Sequence, residues 1–357
     1  MNRFHLYSDR YDVVTFDQFG VLHDGVKALP GAVQCIEKLH ALQKKMVVVS
    51  NSSSRKEATK RRYLKLGFPD FMSDFVTSGE IAHRHLRAQY GGQNKQALWC
   101  TWPDYEHDTY LADCGLHVAA DVDAADVLVL HGSQRVARAE GTGGWCVELF
   151  HRGPSTFDEP LKRVGDTEGG YGEGRESLRA VFRRAAVRGL PAVCANPDFL
   201  AVRGDGSTAH MPGCLADLYD EECAAVARRG HEYGDCTDAA QGVGASRTLR
   251  FGKPSRDHFM EAIKTVQEEQ SAAGSDGKPL KVLHVGDSLH HDVLGAVNAD
   301  IDSLFIADYG VHKDVLLPVG ATAGAHEHRG DLVHKVCDLA SAESMPRPTF
   351  ILSTLRW

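Results

Sequence analysis

The sequence predicts an α/β protein with a doubly wound parallel sheet and an inserted second α/β domain. Three observations lead to this prediction. Short apolar strands alternate with helices over the first hundred residues, the same alternation returns near the carboxyl end, and a more mixed pattern separates the two parts. We therefore assign residues 1–84 and 246–357 to one discontinuous core domain, and residues 85–245 to the insertion.

The amino-terminal part follows a βαβαβ order. Two apolar runs, at 13–16 and 46–49, are predicted strands that end at Asp17 and Ser50. Pro30 begins a helix between them, with apolar residues at helical spacing: Val33, Ile36, Leu39 and Leu42. A charged helix at 55–66 stops at Gly67, and a third strand follows at 75–77. Strands that are apolar throughout and separated by helices predict a parallel sheet with both faces covered.

The carboxyl-terminal part repeats this alternation. Ser255 caps a predicted helix that bears Phe259, Ala262, Ile263 and Val266, and strands follow at 282–285 and 303–307. In the insertion we predict strands at 97–100, 127–130 and 192–194, and a helix at 178–188. Four segments rich in Gly, Ser or charge are expected to be loops without chemistry: 140–145, 165–174, 229–244 and 269–278.

The overall charge and the cysteines argue against several classes of protein. The 357 residues include 40 Lys and Arg against 48 Asp and Glu, a net charge of −8, which argues against holding nucleic acid or an anionic membrane by bulk charge. The nine cysteines never form a C-x-x-C pair, so we expect a reducing compartment and no zinc site. The first residues lack a secretory signal, and no apolar run is long enough to span a membrane, so we expect a cytoplasmic protein.

Polar residues follow three of the predicted core strands. Ligands of an open parallel sheet bind beyond the carboxyl ends of its strands, which makes Asp17, Ser50 and Asp287 the first candidates for a site. Asp17 precedes a Gly-containing loop and suits a nucleophile or a metal ligand, although an aspartate there also suits a turn. Ser50 opens SNSSSR, whose hydroxyls and amides could hold a phosphate or cap the following helix.

A lysine and a second aspartate complete the set of candidates. Lys253 precedes Pro254, which restrains the lysine to an extended backbone just before a helix, although such a lysine is commonly only solvated. Asp287 and Asp292 lie five residues apart in HVGDSLHHD. Two nearby carboxylates repel unless a cation lies between them, so this pair indicates a divalent cation site lined also by Ser288.

The order nucleophile loop, hydroxyl loop, lysine and paired acids resembles the four motifs of the haloacid dehalogenase superfamily. Its members have a Rossmann-like core, and most are Mg²⁺-dependent phosphatases that work through an aspartyl-phosphate. The insertion lies between the second and third motifs, where class II members have an α/β cap domain. VVVSNSSSR, FVTSGE, CANPDF and MPGCLADLYD resemble the class IIA, NagD-like branch. DQFGVLHDG and the closing PTFILSTLRW are similar to one poorly characterised subgroup of that branch.

The resemblance implies a role for each candidate residue. Asp17 would attack phosphorus, Ser50 with Asn51 and Ser52 would bind the phosphoryl group, and Lys253 would offset the negative charge. Mg²⁺ would be held by Asp17, the backbone carbonyl of Phe19, Asp287 and the acidic partner Asp292, which would orient a bound water or the lysine. In the cap, Asn196 and Asp198 resemble a substrate-facing loop, although an ordinary Asx-Pro turn fits equally well.

Position 19 departs from the pattern of the superfamily's phosphatases. These enzymes usually have a second aspartate two residues after the nucleophile, which protonates the leaving group, and here that residue is Phe19. Its carbonyl can still bind a metal, but its ring cannot transfer a proton. His23 or Asp24 is our candidate substitute, against the alternative that Asp24-Gly25 is a plain turn and His23 a loop residue.

Three functions therefore stay open from the sequence. The first is a Mg²⁺-dependent hydrolase of small phosphorylated metabolites. The second is a catalytically impaired protein that binds a phosphorylated ligand or partner, which Phe19 favours. The third is a carbon–halogen hydrolase, which Phe19 suggests because the superfamily's dehalogenases have an aromatic residue two positions after the nucleophile. It is the most distant of the three. A homodimer is expected from the resemblance alone, since caps of this branch sometimes form dimer surfaces.

Overall fold

The computed structural model describes residues 4–103, 109–138, 144–163, 176–202, 207–232, 248–272, 274, 279–317 and 329–357. Twelve α-helices lie in these ranges; α1 to α12 are His5–Ser8, Ala32–Ala41, Lys56–Lys65, Ser78–Tyr90, Tyr110–Asp113, Leu149–Arg152, Leu178–Val187, Pro212–Glu232, Arg256–Ala272, Leu294–Asn298, Lys313–Leu316 and Arg329–Ala342. A 3₁₀ turn spans Gly153–Thr156 and a π-helical turn spans Leu289–Val293. The same ranges hold sixteen strands; β1 to β16 are Val13–Phe16, Lys45–Ser50, Asp74–Thr77, Lys95–Thr101, Leu116–Val118, Val127–Leu130, Arg135–Ala137, Trp145–Cys146, Lys162–Arg163, Ala192–Cys194, Leu200–Val202, Thr208–His210, Thr248–Arg250, Val282–Gly286, Asp302–Ile306 and Phe350–Leu352.

The chain forms two compact units. The first unit comprises Met1–Ser78, Val202–Ser207 and Gly252–Trp357, and the inserted unit comprises Gly79–Ala201 and Thr208–Phe251. The sequence places the divisions after residues 84 and 245, whereas the compact units divide after Ser78 and Phe251. The difference arises because helix α4 groups with the insertion and because β13 pairs with β10 of the inserted sheet.

The first unit contains a six-stranded sheet in the order β16-β15-β14-β1-β2-β3, and every neighbouring pair is parallel. The predicted α/β class with a parallel core sheet is confirmed. The chain runs from β1 outward to β3 on one side and returns through β14 to β16 on the other. The strand order therefore reverses between β1 and β14, where a ligand crevice is expected.

The core of the first unit is formed by strands that are buried on both faces. All four residues of β1 and all five of β14 are buried. Helix α2 packs with Cys35, Ile36 and Leu39, which are fully buried at helical spacing. Burying each large aliphatic side chain contributes about 1.5–3 kcal/mol, so the core holds the strand ends in fixed positions.

The inserted unit has its own sheet, in the order β13-β10-β6-β4-β7-β8-β9, with β5 also paired to β4. Strands β4, β5, β6, β10 and β13 are parallel, whereas β7, β8 and β9 extend the sheet antiparallel. The three strands and the helix predicted for the insertion are present. Helices α7 and α8 contact each other through Phe182 and Tyr219, whose rings meet edge to face at 5.8 Å.

The predicted loops have mixed outcomes. Residues 165–174 lie outside the described residues, as do 140–143 and 233–244 of two other predicted loops. The structure corrects the prediction at the remaining ends, because 229–232 continue α8, 269–272 continue α9 and Trp145 begins β8. In this last part of α9, Glu269 Oε2 pairs with Lys45 Nζ at 2.7 Å and accepts a hydrogen bond from Ser73.

Eight of the nine cysteines lie in the described part of the chain, and none of these eight forms a disulfide. Among the described helices, none combines the length and the apolar composition that crossing a membrane requires.

Candidate active site

Three carboxylates meet at the carboxyl edge of the first unit's sheet. Asp17 follows β1, Asp287 follows β14, and Asp292 lies in the π-helical turn just beyond. Each offers an oxygen within 4.8 Å of the others. The register aligns Phe16 with Val285, so the loops that follow the two strands leave the sheet side by side. The predicted strand ends thus come together at the switch point of the topology.

Lys253 lies within this acidic cluster. Its Nζ is 2.8 Å from Asp17 Oδ1 and 2.7 Å from Asp292 Oδ1, and its side chain is only 2% exposed. The lysine main chain is held by Asn51, since Lys253 N–H donates to Asn51 Oδ1 at 2.7 Å and Asn51 Nδ2 donates to the Lys253 carbonyl at 3.2 Å. Asn51, predicted to bind substrate, is therefore also the link between the hydroxyl loop and the lysine.

Burial and charge set the pKa values of these groups. Burial raises the pKa of Asp17, although Lys253 opposes the shift. Burial, the Asp17 carboxylate and the Asp292 carboxylate raise the pKa of Asp287 well above its usual value. Burial also acts to raise the pKa of Asp292, but Lys253 and His284 outweigh it and hold that pKa low. The pKa of Lys253 is raised, because its two carboxylate partners outweigh the effect of burial.

Each carboxylate oxygen of Asp292 accepts two hydrogen bonds from neighbouring groups. Oδ1 lies 2.7 Å from Lys253 Nζ and 2.9 Å from His284 Nε2. Oδ2 accepts hydrogen bonds from the backbone N–H groups of Asp287 at 3.1 Å and Ser288 at 3.0 Å. A carboxylate has about four lone-pair sites, so in this arrangement Asp292 orients the lysine and the Asp287 loop.

Glycines let the backbone approach Asp287 closely. A Cβ on Gly310 would lie 2.1 Å from Asp287 Oδ2, and one on Gly20, whose φ is +75°, would lie 2.6 Å from the same atom. The backbone N–H of Val311 donates to Asp287 Oδ2 at 2.9 Å. The Asp287 carboxylate is thus fixed by the two neighbouring loops.

The hydroxyl loop after β2 folds on itself. Ser50 Oγ accepts a hydrogen bond from Ser52 N–H at 3.3 Å, and Ser52 Oγ accepts one from Ser54 N–H at 3.2 Å. Ser50 is 5% exposed. Its carbonyl lies 3.1 Å from Nε2 of the buried His258, whose pKa is lowered to about 3 by burial and by Lys253. The neutral imidazole therefore donates to this carbonyl and fixes the loop.

The loop after Asp17 places Phe19, His23 and Asp24 in structural roles. The Phe19 ring is 4.9 Å from the His23 ring, and the Arg62 guanidinium lies 5.7 Å from its centroid. His23 is buried, its pKa is lowered to about 4 by burial and by Arg62, and its Nδ1 accepts from Gly25 N–H at 3.1 Å. Asp24 Oδ1 accepts from the N–H groups of residues 26 and 27. These are the bonds of turn-forming residues, and neither side chain belongs to the acidic cluster.

Asn196 and Asp198 lie in the inserted unit, in the loop after β10. Asn196 is buried, and its Oδ1 accepts the Asp198 N–H at 2.9 Å. This is the hydrogen bond of the Asx turn that the sequence left open as the alternative. Their predicted contact with a substrate stays a prediction.

Two supporting residues are missed by sequence reasoning. His284 contacts Asp292, and Thr15 contacts His284. A signal was available, because each is a polar residue inside an otherwise apolar strand. This signal could be interpreted only once the strand register was known, because the register pairs Thr15 with His284 on neighbouring strands.

The cluster fits a divalent cation. Three carboxylates and one ammonium leave two uncompensated negative charges in a buried place, and a hard divalent cation with oxygen ligands would remove this repulsion. Asp17 and Asp287 offer oxygens. The carbonyl of Phe19 is a further candidate, since no donor among the described residues bonds to it.

Comparison with known proteins shows which family and fold the chain resembles. A family model for haloacid dehalogenase-like hydrolases matches residues 14–117, and a second model for hydrolases of this kind matches residues 250–356. A "possible sugar phosphatase" of this superfamily from Cytophaga hutchinsonii has a TM-score of 0.63 and 20% identity, covering 99% of this chain and 97% of that chain. No curated protein matches the sequence.

Two further solved structures share the fold. A glycerol phosphate phosphatase from Mycobacterium tuberculosis, in complex with calcium, has a TM-score of 0.54 and 19% identity over 97% of this chain and 72% of that chain. NagD from Escherichia coli K-12 has a TM-score of 0.50 and 19% identity over 96% of this chain and 95% of that chain. The two family models together match more than half of the sequence. The chain therefore belongs to the haloacid dehalogenase-like hydrolases and has the fold of their NagD-like branch.

Proposed function

We propose that this protein is a Mg²⁺-dependent hydrolase of small phosphomonoesters that works through an aspartyl-phosphate on Asp17. The observation that carries the proposal is the position of Lys253, whose Nζ lies within 2.8 Å of both Asp17 and Asp292 while the side chain is buried. Burying an ammonium is costly. Its placement against Asp17 supports a site that must bring an anionic substrate to an anionic nucleophile.

Each residue of the site has a separate role in the proposed reaction. Lys253 occupies Asp17 Oδ1, which leaves Oδ2 to attack phosphorus in line with the leaving oxygen. The bond between Asp17 Oδ2 and phosphorus forms as the ester P–O bond breaks, and the leaving oxygen takes a proton from water. Water then attacks phosphorus, which releases phosphate and the free carboxylate. Ser50 and Ser52 hydroxyls and the third N–H of Lys253 would donate to the phosphoryl oxygens.

Asp17, Asp287 and the Phe19 carbonyl would hold the metal ion. A bound Mg²⁺ would supply charge compensation between the carboxylates and the phosphoryl group. Asp292 would position Lys253, because its oxygens are already occupied. The calcium complex of the related Mycobacterium tuberculosis phosphatase supports a divalent cation in such a site.

Phe19 sets a limit on the chemistry. General acid catalysis is typically worth about 10² to 10⁴ in rate, and the phenyl ring cannot provide it. Substrates whose leaving groups are stable as anions should therefore react best, unless His23 or Asp24 supplies the proton. Asn196 and Asp198 would contact the substrate's leaving group. A small phosphorylated metabolite as the ligand, a cytoplasmic location and a homodimer also stay proposals.

A catalytically silent protein that binds a phosphorylated ligand is the second candidate, and Phe19 is the observation that favours it. Carbon–halogen hydrolysis is more distant, because the clustered carboxylates of Asp17, Asp287 and Asp292 suit a metal-dependent reaction. A retained nucleophile with its buried lysine supports the hydrolase over both.

An aryl phosphate assay with and without Mg²⁺ separates these candidates. We expect turnover that requires Mg²⁺ and is lost in Asp17→Asn, which keeps the shape of the nucleophile but not its charge. Asp314→Asn, on helix α11, is the control for an aspartate outside the acidic cluster. Ligand binding without turnover would favour the silent protein, and metal-independent release of halide from a haloacid would favour the third candidate.

A further inference from the structure

A buried pair of polar side chains lies inside the sheet of the first unit, in contact with the acidic cluster. Thr15 on β1 and His284 on β14 are register partners, and they are 1% and 0% exposed. Thr15 Oγ1 lies 2.9 Å from His284 Nδ1, and His284 Nε2 lies 2.9 Å from Asp292 Oδ1. The imidazole therefore connects the interior of the sheet to the carboxylate that holds Lys253.

We propose that His284 is a positioning residue, whose Nε2–H group fixes the Asp292 carboxylate and, through it, the Lys253 ammonium. The effect on turnover rests on the hydrolase function proposed above. The hydrogen bonds do not depend on that function, so they can be tested separately.

The Asp292 carboxylate requires a hydrogen on Nε2 of the ring. An ionised carboxylate only accepts hydrogen bonds, so His284 Nε2 must carry the hydrogen. Nδ1 lies 2.9 Å from Thr15 Oγ1, and this contact holds the other side of the ring. The opposite tautomer would aim a lone pair at a buried carboxylate and leave Asp292 without one donor, which is costly inside a protein.

The position of the ring explains how it could influence the reaction. His284 Nε2 and Lys253 Nζ share one oxygen, Asp292 Oδ1. Loss of the imidazole N–H would free this oxygen to move, and the ammonium would move with it relative to Asp17. Removing a supporting hydrogen bond of this kind typically costs about 10- to 100-fold in activity.

The first experiment measures the tautomer in the full-length protein. A long-range ¹H–¹⁵N spectrum of protein labelled at histidine shows which ring nitrogens carry hydrogen, and the His284→Gln spectrum assigns the His284 signals. We expect a hydrogen on Nε2. A ring without a hydrogen on Nε2 would overturn the proposal whatever the activity.

The second experiment compares variants of the pair by their kcat and KM for an aryl phosphate. His284→Leu removes the N–H and should lower kcat about 10- to 100-fold, whereas His284→Gln, whose amide can place an N–H near the Nε2 position, should restore most of the loss. Thr15→Val should lower kcat less, and Thr15→Ser should restore it. Should His284→Leu fail to fold, the Gln variant and the Thr15 variants still decide the outcome.

The inserted unit provides a matched control. His131 is also fully buried and its Nδ1 lies 3.3 Å from Thr101 Oγ1, so His131→Leu removes a second buried Thr–His contact. We expect this variant to lose stability but to keep its kcat. Equal loss of kcat in His131→Leu and His284→Leu, or no loss in His284→Leu, would overturn the proposal and show that His284 only packs in the core. An inactive wild type would instead refute the hydrolase and leave the tautomer test standing.

Discussion

The Asn51 side chain is hydrogen-bonded at both ends of its amide to the main chain of Lys253, 202 residues away in the sequence. These two hydrogen bonds join the loop after β2 to the segment before α9 and fix the position of the Lys253 main chain. Asn51→Ala should therefore lower kcat about 10- to 100-fold and the free energy of unfolding by about 1–3 kcal/mol, because a buried donor and acceptor lose their partners. Thermal unfolding and an aryl phosphate assay measure both effects.

Asn298→Ala is the control for Asn51, since Asn298 is exposed and donates to the carbonyl of Pro254, the residue after the lysine. It should change neither quantity measurably. A normal kcat in Asn51→Ala would contradict the importance of the clamp.

Phe19→Asp should introduce a proton donor where the phosphatase pattern has one. We expect kcat to rise for alkyl phosphates by about 10² or more, and much less for aryl phosphates, whose leaving groups need little protonation. Phe19→Asn is the control, because it is polar and of the same size as Asp but cannot transfer the proton. Equal changes in the two variants would argue against this explanation of position 19.

His23→Ala and Asp24→Asn test whether this loop already supplies the proton. The Asn variant preserves the turn, because its amide oxygen can still accept the N–H groups of residues 26 and 27. If one of the two residues protonates the leaving group, its variant loses kcat by about 10² to 10⁴ while binding Mg²⁺ normally in calorimetry. Unchanged turnover in both variants would remove them as candidates.

Gly310→Ala should weaken metal binding. The added Cβ would lie 2.1 Å from Asp287 Oδ2, so the carboxylate or the loop must move. We expect a 10- to 100-fold loss in affinity for Mn²⁺, of the order seen when the support of a metal ligand is removed, measured by electron paramagnetic resonance. Gly67→Ala, with open space around the new Cβ but a φ of +89°, controls for backbone strain and should leave Mn²⁺ binding intact.

Glu222 in the inserted unit should make stability depend on pH. Its side chain is 3% exposed and lies 2.8 Å from both Arg179 and Arg183. Burial acts to raise its pKa, but the two arginines outweigh burial and hold the pKa below the usual 4.5. A lowered pKa stabilises the fold above the unfolded-state value, and this contribution is lost as the pH falls toward the folded-state value.

Glu222→Gln should accordingly lower the free energy of unfolding by about 1–3 kcal/mol at pH 7, with a smaller difference below pH 4.5. Chemical denaturation at several pH values measures this. Glu221→Gln, whose side chain is 64% exposed near the same Arg179, should have little effect because exposed ion pairs contribute little. A difference that grows on acidification would contradict the assignment.

The sequence predicts most of the first unit because its signals are local. Strand β1 ends where its apolar run meets Asp17, and helix α2 begins just after Pro30 and Gly31. The motif residues also come together as expected, since parallel strands bring their carboxyl ends to one edge. The end of α9 could not be predicted, because the Gly- and Ser-rich composition of 269–278 favours a loop, and the contact of Glu269 with the distant Lys45 is visible only in the folded chain.

The supporting residues of the site illustrate the same limit. Thr15 and His284 are 269 positions apart, and they contact each other only because their strands are neighbours in the sheet. The four hydrogen bonds to Asp292 likewise come from two separate segments, Lys253 and residues 284–288. Such relationships are set by tertiary packing and leave no periodic trace in one sequence.

The strand order also has a consequence for biosynthesis. Strand β1 is central, yet its partner β14 is translated only after the whole insertion has emerged from the ribosome. Until then β1 presents an unpaired edge, the kind of surface that associates with other nascent chains. Chains truncated before residue 282 should consequently be insoluble or held by chaperones, because β1 then lacks its partner β14.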